Sequence, residues 1–440
     1  MKRIFISFIL FLGLAASLQS QNSLQNERID SLLYLLETNN KMMVSVSVSQ
    51  KNETTFEKAT GFAVIETKQK ADIATKYRIG SISKMYTSVM IFQLIDEGKL
   101  TLDEPLSAFF SEIPDADKIT INMLLRHRSG IFNFTNDSIY ETYNTEAKSH
   151  AEMLSIITNH PIEFEPDSKS EYSNSNYVLL GYIIEKITGK DYSSNLKDRI
   201  TDPLGLKSTY YGDGTNLNEN ECYSYHFEEG KWIKNSETDL SVPGGAGALL
   251  STPTEINTFI QAIFNDHLIS EQSKTEMIRL QDHFGCGIFN MPFYDKKGLG
   301  HTGGIDGFRS MTVYYPQEEV AVSLCSNGNN YSTNELLIGI LSIVFGREYK
   351  FPDFKVIAIN PIVLASYVGV YAAEGFPLKI EITLKKDQVF AQATGQSAFP
   401  LEAVDETNFK FDAAGIKIKF SENELNLQQG GMDFKLSKQP

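Results

Sequence analysis

Arg78-Ile79-Gly80-Ser81-Ile82-Ser83-Lys84, running on into Met85-Tyr86-Thr87-Ser88-Val89-Met90-Ile91-Phe92, decides how the rest of the chain is read. From Ile82 to Glu97 the pattern is that of a mostly apolar helix, with Met85, Val89, Phe92 and Ile95 as buried candidates and Gly98 as its stop. A helix this apolar belongs inside the protein. Ser81 and Lys84, three residues apart, share a helical face and come within mutual reach. A serine hydroxyl is a poor nucleophile until a base takes its proton, and a buried lysine with a pKa lowered by desolvation can be that base. The start of a helix also favours negative charge developing on oxygen. The spacing alone says little, since about one or two matches arise by chance in a chain this long. Ser194-Asn195-Leu196-Lys197 is a second match, but it lies in a polar, surface-type helix.

Working outward, Met43–Ser49 and Thr55–Val64 read as a first hairpin around Lys51-Asn52-Glu53. Helices are expected at Ile121–His127, Ala151–Thr158, Asn176–Thr188 and Asp191–Ile200. Thr252-Pro253-Thr254-Glu255 joins a capping box to a first-turn proline and predicts a helix to about Asp266. Strands follow at Phe284–Phe289, Gly298–His301, Phe308–Tyr315 and Val320–Cys325, then an apolar helix from Asn334 to Phe345. The expected architecture is a sheet flanked by helices with a mostly helical insertion. After Pro352 and Pro361 the runs Leu378–Leu384, Val389–Thr394, Asn408–Phe411, Ile416–Phe420 and Glu424–Leu427 read as a small antiparallel β domain. The expected division is a leader over 1–20, a first domain over 24–350 and a second over 360–440.

The leader is read from Lys2 and Arg3, the apolar run Ile4–Leu14 and the small and polar residues Ala15–Gln21, with cleavage near residue 20. The run is shorter than the roughly 18 to 20 apolar residues a spanning helix needs. An exported protein with no stable membrane span after cleavage is therefore expected, periplasmic or secreted. The formal charge of −15 becomes more negative once Lys2 and Arg3 leave, which argues against nucleic acid as a partner. Cys222, Cys286 and Cys325 are far apart and carry no metal-ligand spacing, so neither a metal nor a cofactor is expected; Cys325 reads as a buried thiol.

Two further motifs carry chemistry. Tyr172-Ser173-Asn174 is the only Tyr-x-Asn in the chain. A tyrosine beside a lysine cation has its phenolate stabilised and can shuttle a proton, and an asparagine amide can bond substrate. The same residues also read as a turn with Asn174 or Ser175 as a helix cap. His301-Thr302-Gly303-Gly304 follows Gly298-Leu299-Gly300. Strand glycines mark a bulge or close approach of another backbone, here a peptide substrate along the edge, and an amide at this place could complete an oxyanion hole. A glycine-rich hairpin with a satisfied histidine is the other reading.

Ser-x-x-Lys, Tyr-x-Asn and His-Thr-Gly in this order resemble the serine β-lactamase and penicillin-binding protein family, especially its class C β-lactamase, DD-peptidase and esterase branch. The resemblance extends to Leu124-Leu125-Arg126-His127-Arg128-Ser129-Gly130, Asp202-Pro203-Leu204-Gly205-Leu206 and Gly245-Ala246-Gly247-Ala248-Leu249-Leu250-Ser251, and spans roughly residues 30 to 345. It implies an α/β (α+β) β-lactamase/transpeptidase-like fold and a hydrolase working through an acyl-enzyme on amide or ester bonds of a small-molecule or peptide substrate. It further implies Ser81 as nucleophile, Lys84 and Tyr172 as proton carriers, and backbone N–H groups of Ser81 and Gly304 as the oxyanion hole. Asn174, His301, Thr302 and Gly303 would complete the pocket. Whether lysine or tyrosine is the acylation base stays open. His301 stands where β-lactamases commonly carry lysine, which removes a fixed charge for a substrate carboxylate. Arg309 is open to two readings, as that missing charge or as an exposed strand arginine. Pro166-Asp167 and Glu171 are further departures. The last domain, with Tyr367-Val368-Gly369-Val370-Tyr371 near its start, resembles the lipocalin-like domains appended to such hydrolases. A monomer is expected. A true β-lactamase and a non-catalytic peptidoglycan or peptide-binding protein on the same fold are the alternatives, with a carrier using the β domain as a third.

Overall fold

The computed structural model describes residues 23–265, 267–355, 357–385 and 387–439. The expected leader over 1–20 and the expected helix end at Asp266 lie outside them. By packing, the chain divides into a unit ending at Asn329 and a unit of Thr38–Lys41 with Asn330 onward.

The first unit is built on an antiparallel sheet in the order β3-β4-β5-β1-β2: β1 Met42–Gln50, β2 Glu53–Thr60, β3 Leu299–Ile305, β4 Phe308–Tyr315 and β5 Val320–Asn329. Strands from the two ends of this unit meet in its middle, with Met42 opposite Asn329 and Gln50 opposite Val320. Helices supply the layers: α1 over residues 23–38, α2 Ser83–Asp96, α3 Ile121–Leu125, α4 His150–Thr158, α5 Asn174–Thr188, α6 Tyr192–Leu196 and α7 Pro253–Phe264. The stripe Ile29, Leu32, Leu33 and Leu36 buries one face of α1, a helix that the sequence reading does not include.

The alternation in β1 does not mark a wet face, because Met42 to Ser49 are all buried. Its serines are covered by α7, whose Asn257 donates from Nδ2 to Ser47 O (3.0 Å) and Ser49 Oγ (3.4 Å) and accepts at Oδ1 from Ser323 Oγ (2.7 Å). Ser45 Oγ meets Tyr77 OH at 2.8 Å and Ser49 Oγ meets Asn257, while Ser47 Oγ is buried without a partner among the described residues. Thr252 caps α7 as expected, accepting from Glu255 N at 3.3 Å. The return half of the box is not made. Glu255 instead accepts from Lys207 N (2.8 Å), Ser208 N (2.9 Å) and Thr209 Oγ1 (2.7 Å).

Helix α2 is buried all round from Ser83 to Phe92 and stacks Tyr86 on Phe259 of α7 with centroids 3.6 Å apart. Leu94 rather than Ile95 is fully buried at its end. Helix α3 stops at Leu125, short of His127, whose φ of +57° is left-handed. Of the strand expected over 284–289 only Phe289 belongs to a regular strand, Phe289–Asn290; Phe284 makes isolated bridges to Gln281 and Phe289, and Asp282, His283 and Gly287 turn the backbone left-handed. Helix α6 ends at Leu196 and continues as a wider π turn over Lys197–Thr201.

The second unit holds helix α8 (Thr333–Val344) and a nine-stranded sheet of β6 Gly369–Ala372, β7 Ile380–Lys385, β8 Gln388–Ala393, β9 Phe399–Pro400, β10 Glu402–Ala403, β11 Asn408–Phe411, β12 Ile416–Ser421, β13 Glu424–Gln429 and β14 Met432–Lys438. Its order is β9-β8-β7-β6-β14-β13-β12-β11-β10. The two edges, β9 and β10, are separated in sequence only by the buried Leu401, so the sheet is a nearly closed barrel. Ile382, Ala391, Leu425 and Leu436 fill it, and Tyr367 stacks on Phe420 at 4.2 Å. No helix among the described residues is long and apolar enough to cross a membrane. All three cysteines are free and buried, and the described residues hold no metal-ligating cluster.

Candidate active site

Ser81 lies in a 3-10 turn, Gly80–Ile82, that feeds directly into α2. The turn is pressed against β3. Gly80 has φ +51°, and a Cβ there would stand 2.8 Å from Gly304 N. A Cβ at Gly303 would stand 2.0 Å from Ile79 O. The close backbone approach that these strand glycines signal is thus, on this side, to the chain's own turn carrying Ser81.

Ser81 Oγ accepts from Tyr172 OH at 2.8 Å and lies 3.1 Å from Lys84 Nζ. Lys84 Nζ also donates to Asn174 Oδ1 (2.8 Å) and to Ala246 O (2.8 Å). Lys84 is fully buried, and no carboxylate pairs with it among the described residues. Burial alone pushes its pKa well below the ordinary lysine range. Tyr172 moves the other way. Desolvation raises its pKa far above the usual phenol value, offset in part by the bond to Ser81, so the phenolate expected from a neighbouring cation is disfavoured. The resting pair is a lysine biased to the neutral amine and a protonated tyrosine.

Asn174 has its amide committed: Nδ2 donates to Asn133 Oδ1 (3.2 Å) and Thr135 Oγ1 (3.1 Å) while Oδ1 faces Lys84. Its amide nitrogen is held by its own neighbours, and its oxygen holds the lysine. His301 is buried, its ring stacked on Phe289 at 4.2 Å and its Nδ1–H donating to Thr302 O at 2.5 Å. Burial, with a smaller contribution from Lys84, pulls its pKa down to about 3, so the ring is neutral. Thr302 is exposed, and Gly304 lines the pocket with Ser81. That pocket has a volume of about 510 Å³ and is also lined by Asn174, Ala246 and Arg309, a size suited to a small molecule or a short peptide segment.

The sequence reading singles out neither Ala246 O nor His127 for a role. His127 Nδ1 accepts from Ser173 N at 3.1 Å, and its ring lies 4.5 Å from that of Tyr172, so it backs the tyrosine strand. Both stand inside the family-like runs at 124–130 and 245–251, which were the available signal.

A family model described as beta-lactamase matches residues 39–340. The chain belongs to the beta-lactamase family. This hydrolase is 24% identical over 433 residues to penicillin-binding protein 4* of Bacillus subtilis (91% of this chain, 95% of the relative). It is 25% identical over 295 residues to teichoic acid D-alanine hydrolase of Staphylococcus aureus, covering 65% of this chain and 71% of that one. Among solved structures it superposes on D-amino acid amidase from Ochrobactrum anthropi with a TM-score of 0.65 at 26% identity, over 73% of this chain and 99% of the amidase. An octameric penicillin-binding protein homologue from Pyrococcus abyssi, 21% identical, shares the fold over 93% of this chain and 99% of its own, with a TM-score of 0.65. The protein is an enzyme, a serine hydrolase on a β-lactamase/transpeptidase-like fold.

Proposed function

We propose that the hydrolase cleaves amide or ester bonds at D-amino-acid residues, as in D-amino-acid amides, D-alanyl esters or cell-wall peptides, through an acyl-enzyme on Ser81. The observation that carries the assignment of roles is the bonding of Lys84. A neutral amine has two N–H groups and one lone pair. Nζ donates to Asn174 Oδ1, Ala246 O and, at 3.1 Å, Ser81 Oγ; once the amine is neutral, the first two, which can only accept, take its N–H groups and leave the lone pair to face the Ser81 hydroxyl. Lys84 is therefore the acylation base, and Tyr172, whose phenolate is disfavoured, is the relay.

In acylation the Ser81 proton passes to Lys84 Nζ as Oγ bonds to the substrate carbonyl carbon. The developing oxyanion is held by the backbone N–H groups of Ser81 and Gly304. The proton then moves through Tyr172 OH to the leaving nitrogen or oxygen as its bond to carbon breaks. Water reverses the sequence, giving its proton to the same pair and freeing the acid. Neutral His301 acts as a spacer stacked on Phe289, whose ring lies 6.4 Å from that of Tyr172, with Thr302 and Gly303 shaping the strand edge.

The substrate class rests on relatives named teichoic acid D-alanine hydrolase and D-amino acid amidase. We place the enzyme outside the cytoplasm, as a monomer after removal of residues 1–20, with the hydrolase over 24–350 and a lipocalin-like domain over 360–440. The test is labelling with a fluorophosphonate and a fluorescent penicillin, followed by turnover of D-alanyl peptides, D-amino-acid amides, p-nitrophenyl esters and nitrocefin. An adduct on Ser81 with D-amide or D-ester turnover is expected. Equal labelling of Ser81→Ala, or nitrocefin as the best substrate, overturns the proposal.

A further inference from the structure

Tyr172 belongs to neither a helix nor a strand, since α5 begins only at Asn174. No ladder or helical turn of its own fixes the phenol that reaches Ser81 Oγ at 2.8 Å. One residue beside it does. His127 O accepts from Glu171 N at 2.8 Å, and His127 Nδ1 accepts from Ser173 N at 3.1 Å. The residues before and after the tyrosine are thus tied to the same histidine, whose ring also lies 4.5 Å from the phenol ring.

His127 is itself held. Its φ of +57° is a left-handed value that residues with a side chain adopt rarely. On one side of it the buried Arg126 donates to Glu276 Oε1 at 2.7 Å, and on the other Arg128 O accepts from Asp167 N at 2.8 Å. The ring is buried. Burial, with smaller contributions from Lys84 and His301, draws its pKa well below the ordinary histidine range, so it is neutral. A neutral ring has one acceptor nitrogen, and because Nδ1 faces the Ser173 N–H, the ring hydrogen sits on Nε2.

We infer that His127 is a positioning residue for the proton relay: it clamps the main chain on both sides of Tyr172 and so sets the phenol between Ser81 and the leaving atom. This deepens the proposed function and rests on it for the role of Tyr172. Such a clamp matters where the relay matters. A leaving amine has to receive a proton as its bond to carbon breaks, whereas p-nitrophenolate departs as a stable anion and gains little from a donor. Displacing the phenol by about 1 Å therefore slows amides far more than activated esters.

The experiment measures kcat/KM, which reports acylation, on the full chain with D-alaninamide and p-nitrophenyl acetate. Two variants separate the ring nitrogens. His127→Asn keeps an acceptor at the Nδ1 place on a residue that tolerates the left-handed backbone, while His127→Gln moves the acceptor to the Nε2 place. His127→Gln should lose about 10²-fold with the amide and about threefold with the ester, and His127→Asn should stay within about tenfold of the parent with the amide. In a Tyr172→Phe background, His127→Gln should cost less than about threefold more, because the histidine acts only through the tyrosine. His127→Leu, which buries no polar group, takes the place of His127→Gln if that variant melts below the assay temperature. Equal losses on amide and ester, His127→Asn no better than His127→Gln, or a full further loss in the Tyr172→Phe background overturns the inference. If Tyr172→Phe retains the parental amide rate, the proposed relay falls and the clamp with it; if only His127→Gln retains it, the clamp falls alone.

Discussion

The chain carries the same four-residue pattern twice, and the two copies behave as different chemistry. Ser81 and Lys84 open α2, with the lysine fully buried, no carboxylate pairing with it among the described residues and its nitrogen 3.1 Å from the serine oxygen. Ser194 and Lys197 lie at α6, where the lysine side chain is 68% exposed and pairs with Asp202 at 3.2 Å. The three-residue spacing supplies proximity in both. What distinguishes the first copy is desolvation without a counter-ion, which holds an amine ready to accept a proton.

Breaking the comparison at the serine gives the largest effect. Ser81→Ala should lower kcat/KM by roughly 10³-fold or more and abolish covalent labelling, while Ser194→Ala leaves both intact. Removing the amine comes next: Lys84→Met should cost about 10²–10⁴-fold in the acylation rate, read by stopped-flow labelling, with Lys197→Met as the silent counterpart.

A subtler change makes the first lysine resemble the second. Asn174 Oδ1 lies 2.8 Å from Lys84 Nζ, so Asn174→Asp puts a carboxylate beside the amine and stabilises its charged form. With Lys84 as the proposed base its neutral amine is the active form, so activity should be present above the Lys84 pKa and lost below it. In the parent that pKa is depressed and the acid limb of kcat/KM lies low. In Asn174→Asp the limb should move up by about 1–3 pH units, with activity recovered at alkaline pH. A flat loss at every pH would argue that Asn174 only holds structure. The smallest effect is expected at the second copy, where Lys197→Met should change stability in a denaturant titration by less than about 0.5 kcal/mol.

The division of the chain into a helix-flanked sheet and a β-rich tail was legible because β4 and α2 carry strong local patterns. Ser81 stood out as the candidate nucleophile only in company, since Ser81 and Ser194 look alike until Tyr172 converges on the first. Other parts were hidden for physical reasons. Left-handed residues at 282–287 cut short a strand that hydrophobicity suggested. The strands β9 and β10 are two residues each and carry no usable period. Helix α1 has a readable stripe at 29, 32, 33 and 36, but it follows an apolar leader-like run that drew the attention. The role of Asn174 depends on which of its atoms are already taken, and that is a property of the assembled pocket rather than of any motif.

One further consequence comes from the strand order of the central sheet. Strand β1 sits between β5 and β2, and its contact with β5 joins Met42 to Asn329 and Gln50 to Val320. At roughly 5–20 residues per second, about 15–55 s of synthesis separates the two strands. Throughout that interval the apolar side chains of β1 have a hairpin partner on one side only, and the middle of the chain must be looped out before the other side can close. The loop-closure entropy of so distant a pairing makes the last step slow. The sheet that presses Gly304 onto Gly80 therefore forms late, and the nucleophile turn acquires its geometry only when the whole first unit is complete.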